Sequence, residues 1–350
     1  MNTLIKTKTN FAAATFVSFI LLLCSSVNLL AQTFKWSGNV DASIQNSDTG
    51  TTSLSRAGDG NLSTSRLRLD GTSPDLGGIK FDFALEGGLR SNSGTLGSTT
   101  TTGQTFSREA SVGVSGSLGT VRLGKTDLSQ AEGMDTLAYT FGNFTNFALN
   151  GTALEIGSDL DNVVSYRSPS MGGLTVWAGM SNNANGATTD ANTNQQSASV
   201  AYNAGQLKIG AGYGRKDATT EAGKTDATSL GVSYTLPQAI LGVAHIRGDN
   251  STTGDVESSS NIYSVRVPLK DGLNLHGVFY QSKDGSQATA NTGQGYTVGV
   301  SKLFSTSATV YAAYSKVDND ANSSMYTNGM TAPSAGKDPS LFLVGVNYAF

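Results

Sequence analysis

The sequence predicts an all-β chain, a transmembrane antiparallel β-barrel of about sixteen strands. Three observations carry that prediction. Apolar and polar residues alternate with period two along most of the chain after residue 32. The connections between alternating segments are themselves alternately short and long. Finally, the 350 residues are only 14% charged yet also only 38% hydrophobic, with 42 Gly filling part of the gap. Soluble domains average about 25% charged residues and 7% Gly. Low charge without high hydrophobicity fits a wall with one face in lipid and one in water.

The same composition excludes several classes. One Cys cannot build a disulfide scaffold. A helical membrane protein needs several apolar runs of about 20 residues, and the only candidate run lies at the N-terminus. Nucleic-acid binding is not expected, because 23 Lys+Arg stand against 26 Asp+Glu.

Residues 1–31 are read as a signal peptide. Lys6 and Lys8 form a positive start with no acid nearby, and residues 16–23 are apolar. Ser25, Ser26 and Ala31 follow, with cleavage expected after Ala31. The competing reading is a buried N-terminal helix. Cys24 lies in this segment, so the mature chain of residues 32–350 would hold no Cys. It would keep 21 Lys+Arg against 26 Asp+Glu, a charge of −5.

The strands follow in order. In residues 34–44, Phe34, Trp36, Gly38, Val40, Ala42 and Ile44 alternate with Lys35, Ser37, Asn39, Asp41 and Ser43. In residues 79–90, Ile79, Phe81, Phe83, Leu85 and Leu89 oppose Lys80, Asp82, Glu86 and Arg90. In residues 207–216, Leu207, Ile209, Ala211 and Tyr213 oppose Lys208, three Gly and Lys216. At the end, Phe342, Val344, Val346, Tyr348 and Phe350 alternate with Leu341, Leu343, Gly345, Asn347 and Ala349. Sixteen such segments are expected, near 33–45, 62–73, 78–90, 106–117, 120–126, 161–168, 173–181, 195–203, 206–216, 227–236, 239–248, 258–267, 272–281, 294–303, 308–317 and 340–350. The two faces of 239–248 are almost equally apolar. Short connections include Asn203-Ala204-Gly205 and Lys270-Asp271-Gly272. The long ones, among them 46–61, 127–160 and 318–339, are rich in Thr, Ser, Asn, Asp and Gly. No linker divides residues 32–350, which read as one domain.

An apolar strand face also suits a soluble sandwich. Two features favour lipid. Charges sit mid-strand on the polar face, as with Arg66 and Arg68, which a wide aqueous lumen tolerates. Aromatics gather near expected strand ends, namely Phe34, Trp36, Phe106, Tyr166, Tyr234, Tyr296, Tyr348 and Phe350, as in interfacial belts. In lipid no sheet edge can stay open, so the strands must close. Sixteen strands then leave an aqueous channel, whereas eight would be filled by side chains.

Four stretches resemble the general, trimeric porin family of Gram-negative outer membranes. They are Ser65-Arg66-Leu67-Arg68-Leu69-Asp70-Gly71 with Asp75-Leu76-Gly77-Gly78 and Phe83-Ala84-Leu85-Glu86; and Phe106-Ser107-Arg108-Glu109-Ala110 with Leu118-Gly119-Thr120-Val121-Arg122-Leu123-Gly124-Lys125. Asn162-Val163-Val164-Ser165-Tyr166-Arg167-Ser168-Pro169 and the terminal Gly345-Val346-Asn347-Tyr348-Ala349-Phe350 complete the set. The resemblance implies a water-filled channel for passive diffusion of ions and small hydrophilic solutes, without a cofactor. It implies a homotrimer in the outer membrane, in contact with lipid and lipopolysaccharide. It also gives Phe350 the place of the signal read by the barrel assembly machinery. Many relatives carry an Arg or a Lys-His pair just before the end, where this chain has Asn347 and Ala349.

In the family the third long loop folds into the lumen as a constriction. Here that loop is 127–160, which contains no Lys or Arg, and its part 127–159 lacks the Pro common in relatives. Its acids are Asp127, Glu132, Asp135, Glu155 and Asp159. The resemblance sets them against basic wall residues, for which Arg66, Arg68, Lys80, Arg90, Arg108, Arg122 and Lys125 are the lumen-facing candidates; Arg66 and Arg68 lead, and Arg108 and Lys125 rank lower because their parity puts them near strand ends. Facing rings of charge in a low-dielectric wall focus a field across the pore. The plainer readings are rim charges for the bases and a surface loop for the acids. Leu137, Tyr139, Phe141, Phe144 and Phe147 are expected to anchor the loop to the inner wall.

Catalysis has little footing. The two His, His245 and His276, read as wall residues, and no metal or nucleophile motif stands out. The alternative function is a secreted adhesive or structural β-protein on the cell surface. No repeat of fixed period supports it.

Overall fold

The computed structural model describes residues 33–97, 104–128, 149–150, 159–182, 194–217, 225–250, 257–284 and 291–350. Sixteen strands form one sheet. They are β1 (Thr33–Asp48), β2 in two pieces (Ser53–Asp59 and Arg66–Thr72), β3 (Lys80–Gly88) and β4 (Glu109–Gly116). Next come β5 (Gly119–Thr126), β6 (Leu160–Arg167), β7 (Leu174–Ser181) and β8 (Gln195–Ala204). Then follow β9 (Leu207–Lys216), β10 (Thr225–Thr235), β11 (Ile240–Asn250) and β12 (Glu257–Pro268). The last four are β13 (Leu273–Asp284), β14 (Asn291–Leu303), β15 (Ala308–Asn319) and β16 (Ser340–Ala349).

Each strand pairs antiparallel with its neighbours in sequence. β16 returns to β1, in register from Asn39↔Ala349 to Asp48↔Ser340. The sheet is therefore a closed barrel with no free edge. That closure rules out the two-sheet sandwich, and every one of the sixteen expected segments corresponds to one strand.

The exterior is apolar. On β16, Phe342, Val344, Val346 and Tyr348 are exposed, while Leu341 and Leu343 point inward and are buried. All eight aromatics expected near strand ends are exposed. The segment whose faces looked alike resolves in the same way, because Leu241 and Val243 face out and Ala244 faces in. No described helix is long and apolar enough to cross a membrane, and the strands do the crossing instead. Among the described residues, a single 3-10 turn lies at Lys270–Gly272, inside a tight connection.

Two long connections differ from expectation. The stretch 46–61 is largely strand, because β1 and β2 zip together from Ala42↔Asp59 to Asp48↔Ser53. The irregular part lies later, at residues 60–65, where β2 breaks and resumes at Arg66. A hydrophobic pattern marks faces but carries no signal for a break inside a strand. The connection 318–339 is not a plain surface loop either. Its Met325 and Met330 are buried against Tyr311, Leu341 and Leu343 on the inner face of β15 and β16, together with Leu62. Burying a Leu or Met side chain contributes about 1.5–3 kcal/mol each. Tyr326–Thr327 also pairs, backbone to backbone, with Leu149–Asn150.

Candidate functional site: a charged strip on the inner wall

The second half of β2 reads Arg-Leu-Arg-Leu-Asp. Period two sends Leu67 and Leu69 to one face and Arg66, Arg68 and Asp70 to the other. On β3 the same inner face carries Asp82, Ala84 and Glu86. Glu109 and Ser111 follow on β4, and Arg122 on β5. Adjacent strands thus place bases and acids side by side.

Ion pairs interlock across this strip. Arg68 contacts Asp70 at 2.9 Å, Glu86 at 3.0 Å and Glu109 at 2.5 Å. Glu86 also accepts from Arg108 at 2.7 Å, and Arg66 lies 3.9 Å away. Arg122 bridges Glu109 at 3.3 Å and pairs with Asp82. The Asp82–Arg122 contact spans β4 at Gly113, because Asp82 and Arg122 are both register partners of that glycine. A Cβ there would fall 2.5 Å from the Asp82 carboxylate, so glycine holds the space open.

The strip ends at a backbone irregularity. Gly124 has φ 128°, a conformation L side chains rarely adopt, and the β5–β6 register shifts between Gly124 and Thr126. Beside it, Lys125 reaches Asp161 at 3.0 Å and also donates to the carbonyl of Asp159. The two ends of the 127–160 connection meet here. The Asp159 N–H donates to Asp127 Oδ1 at 2.6 Å, and the Asp159 carboxylate is 3.6 Å from Arg108. Leu128 is fully buried against Leu160 and Val163, which seats this end on the inner wall. A cavity of about 590 Å³ opens beside the strip, lined by Arg66, Arg68, Arg108, Glu86, Asp127 and Asp159 among others.

The expected basic set therefore divides. Arg66, Arg68, Arg108, Arg122 and Lys125 come together. Arg108 and Lys125 join despite their positions near strand ends. Lys80 stands apart, exposed at the first residue of β3. Arg90 lies just beyond β3 and pairs with Asp59 at 3.4 Å, next to the break in β2. Of the loop acids, Asp127 and Asp159 are at the cavity. Glu132, Asp135 and Glu155 lie outside the described residues, as do Leu137, Tyr139, Phe141, Phe144 and Phe147. Phe350 exchanges backbone hydrogen bonds with Gly38, both 3.0 Å, and so completes the seam between β16 and β1.

The strip also contains acids that the sequence reading did not select, namely Asp70, Asp82, Glu86, Glu109 and Asp161. Their parity held the signal, since Asp82 and Glu86 alternate with Phe81, Phe83 and Leu85. Bases at this wall thus meet carboxylates of the wall itself as well as those of the loop. Among the described residues, no cluster of His, Cys, Asp and Glu has the geometry to hold a metal ion.

A closed barrel of sixteen strands, apolar outside and charged inside, defines a transmembrane channel. Comparison with known proteins makes the class specific. A family model described as Gram-negative porin matches residues 12–350, and the chain belongs to that family. It is 26% identical to outer membrane porin protein 32 of Delftia acidovorans, over 95% of this chain and 99% of that one. Its fold is similar to the anion-selective porin from Comamonas acidovorans, with TM-score 0.76 and 23% identity over 91% of this chain and 100% of that one. OmpT of Vibrio cholerae in its trimer form gives TM-score 0.69 at 18% identity, over 91% of this chain and 100% of that one. The protein is an outer-membrane channel for passive diffusion of solutes.

Proposed function

We propose that the strip on β2–β6 is the selectivity element of this pore, and that it prefers small cations weakly. The carrying observation is the local balance of charge. Arg66, Arg68, Arg108, Arg122 and Lys125 face Asp70, Asp82, Glu86, Glu109, Asp127, Asp159 and Asp161, five cations against seven carboxylates. Interlocked pairs cancel at a distance, and the surplus carboxylates set the sign of the field. The Comamonas porin is described as anion-selective, so the proposal predicts opposite behaviour on a related barrel.

The remaining assignments follow the family. Residues 1–31 act as the signal peptide and 32–350 as the barrel. The channel passes ions and small hydrophilic solutes without catalysis or a cofactor. It works as a homotrimer among outer-membrane lipid and lipopolysaccharide, and Phe350 presents the chain to the assembly machinery. The test is purified protein in a planar bilayer under a salt gradient. Ohmic steps in groups of three and a small cation-selective reversal potential are expected. An anion-selective potential rejects the selectivity assignment, and a protein soluble without detergent that forms no channels rejects the channel.

A further inference from the structure

The inner face of β1 is covered. Asn39, Asp41, Ser43, Gln45 and Ser47 alternate inward and are all under 9% exposed, whereas Ile44 on the opposite face is 78% exposed. Part of the cover is residues 60–65, the break in β2. Asn61 N–H donates to Asp41 Oδ1 at 2.9 Å, and its side-chain amide donates to Ser43 at 2.7 Å and Gln45 at 2.8 Å. Ser65 Oγ accepts from the Asp41 N–H at 2.9 Å.

The connection between β15 and β16 supplies the rest. Gln45 donates to the Gly329 carbonyl at 2.7 Å, and Thr331 N–H donates to Ser47 Oγ at 3.2 Å. Asn319 fixes the root of this connection through Met325 O at 2.9 Å and Lys337 O at 2.7 Å. Met325, Met330 and Leu62 then close over Tyr311, Leu341 and Leu343. Polar bonds hold one side of this body to β1, and apolar contact holds the other side to β15 and β16.

We infer that residues 60–65 and the connection 320–339 form a fixed partition inside the barrel, which narrows the pore along β15, β16 and β1. Solutes are thereby confined to the side that carries Arg66, Arg68 and Arg108. Ser63 lies at the boundary, since it lines the cavity beside those arginines while its neighbour Leu62 is 2% exposed. The inference rests on the protein being a channel, which the conductance of the parent protein checks separately.

The test replaces residues 321–336 by a short Gly-Ser turn and verifies assembly by the altered gel mobility of unboiled protein. An assembled variant should show about a twofold rise in single-channel conductance, because conductance follows the open cross-section of the constriction. An assembled variant with parental conductance overturns the partition. A second measurement does not depend on the deletion folding. Residues 32–350 hold no Cys, so Ser63→Cys should react with a membrane-impermeant thiol reagent and lose conductance, and Leu62→Cys should stay unlabelled. Equal labelling of both, or labelled Ser63→Cys with unchanged conductance, overturns it as well.

Discussion

Arg68 on β2 reaches across β3 to Glu109 on β4, with Nη1 and Oε2 2.5 Å apart. It meets Glu86 of the intervening strand on the way, at 3.0 Å. One guanidinium thus links three strands of the inner wall. Its fork of donors suits that arrangement, which a single ammonium could not reproduce.

Arg68→Ala should therefore affect both the barrel and the pore. Glu86 keeps Arg108 and Glu109 keeps Arg122, so neither carboxylate is stranded. The side chains are partly exposed, which limits the loss to about 1–2 kcal/mol in urea unfolding. The reversal potential should move toward stronger cation preference. Arg66 is the contrast, 3.9 Å from one carboxylate and 34% exposed. Arg66→Ala should shift the potential in the same direction while stability stays within about 0.5 kcal/mol. Equal destabilisation by the two variants would refute the ranking.

Gly124→Val should damage the wall through the backbone. Its φ of 128° disfavours any L side chain, and an added Cβ would overlap the Ala110 carbonyl across the ladder. Strain of this kind costs about 1–3 kcal/mol. The register shift beside it should relax and separate Lys125 from Asp161. A lowered melting temperature of the unboiled form is the readout. Lys125→Met removes the ion pair with Asp161 and the bond to the Asp159 carbonyl but leaves the backbone untouched, and it should melt close to the parent.

Asp41 is fully buried and accepts from Tyr311 Oη at 2.7 Å, Asn61 N–H at 2.9 Å and Asn347 Nδ2 at 3.3 Å. It ties β1 to β15, β16 and the break in β2. Asp41→Ala strands these donors away from water and should cost about 3 kcal/mol. Tyr311→Phe removes one donor and should cost about 1 kcal/mol. Denaturant unfolding of refolded protein checks both, and a larger loss for Tyr311→Phe would show that the carboxylate is not the hub.

The barrel was legible because lipid imposes a repeated rule. Each strand has to carry an apolar face, and residues such as Phe342, Val344 and Val346 write that rule directly into the chain. The Arg66-Leu67-Arg68 pattern likewise placed two bases on the inner face. What escaped was pairing. Whether Arg68 meets Glu109 depends on the registers of β2 with β3 and β3 with β4, and alternation does not fix register length. The inward body at Asn61 and Met330 escaped for a different reason. Its polar sequence resembles a surface loop, and only the buried partners on β1 and β15 show that it is enclosed.

Phe350 separates two roles of the chain terminus. Its backbone N–H and carbonyl both bond to Gly38, at 3.0 Å each, and they are the last rungs joining β16 to β1. The residue is 55% exposed and lies on the outer face with Tyr348 and Val346. Unpaired backbone groups facing hydrocarbon cost several kcal/mol each, so deleting Phe350 should lower the thermal resistance of the refolded barrel. Phe350→Ala keeps both rungs and removes only the ring. Refolded in detergent, it should melt like the parent; expressed in cells, it should reach the outer membrane in reduced yield, because the ring carries the assembly signal proposed above. If Phe350→Ala melts as early as the deletion, the ring itself holds the seam. If its cellular yield is undiminished, recognition lies elsewhere in β16.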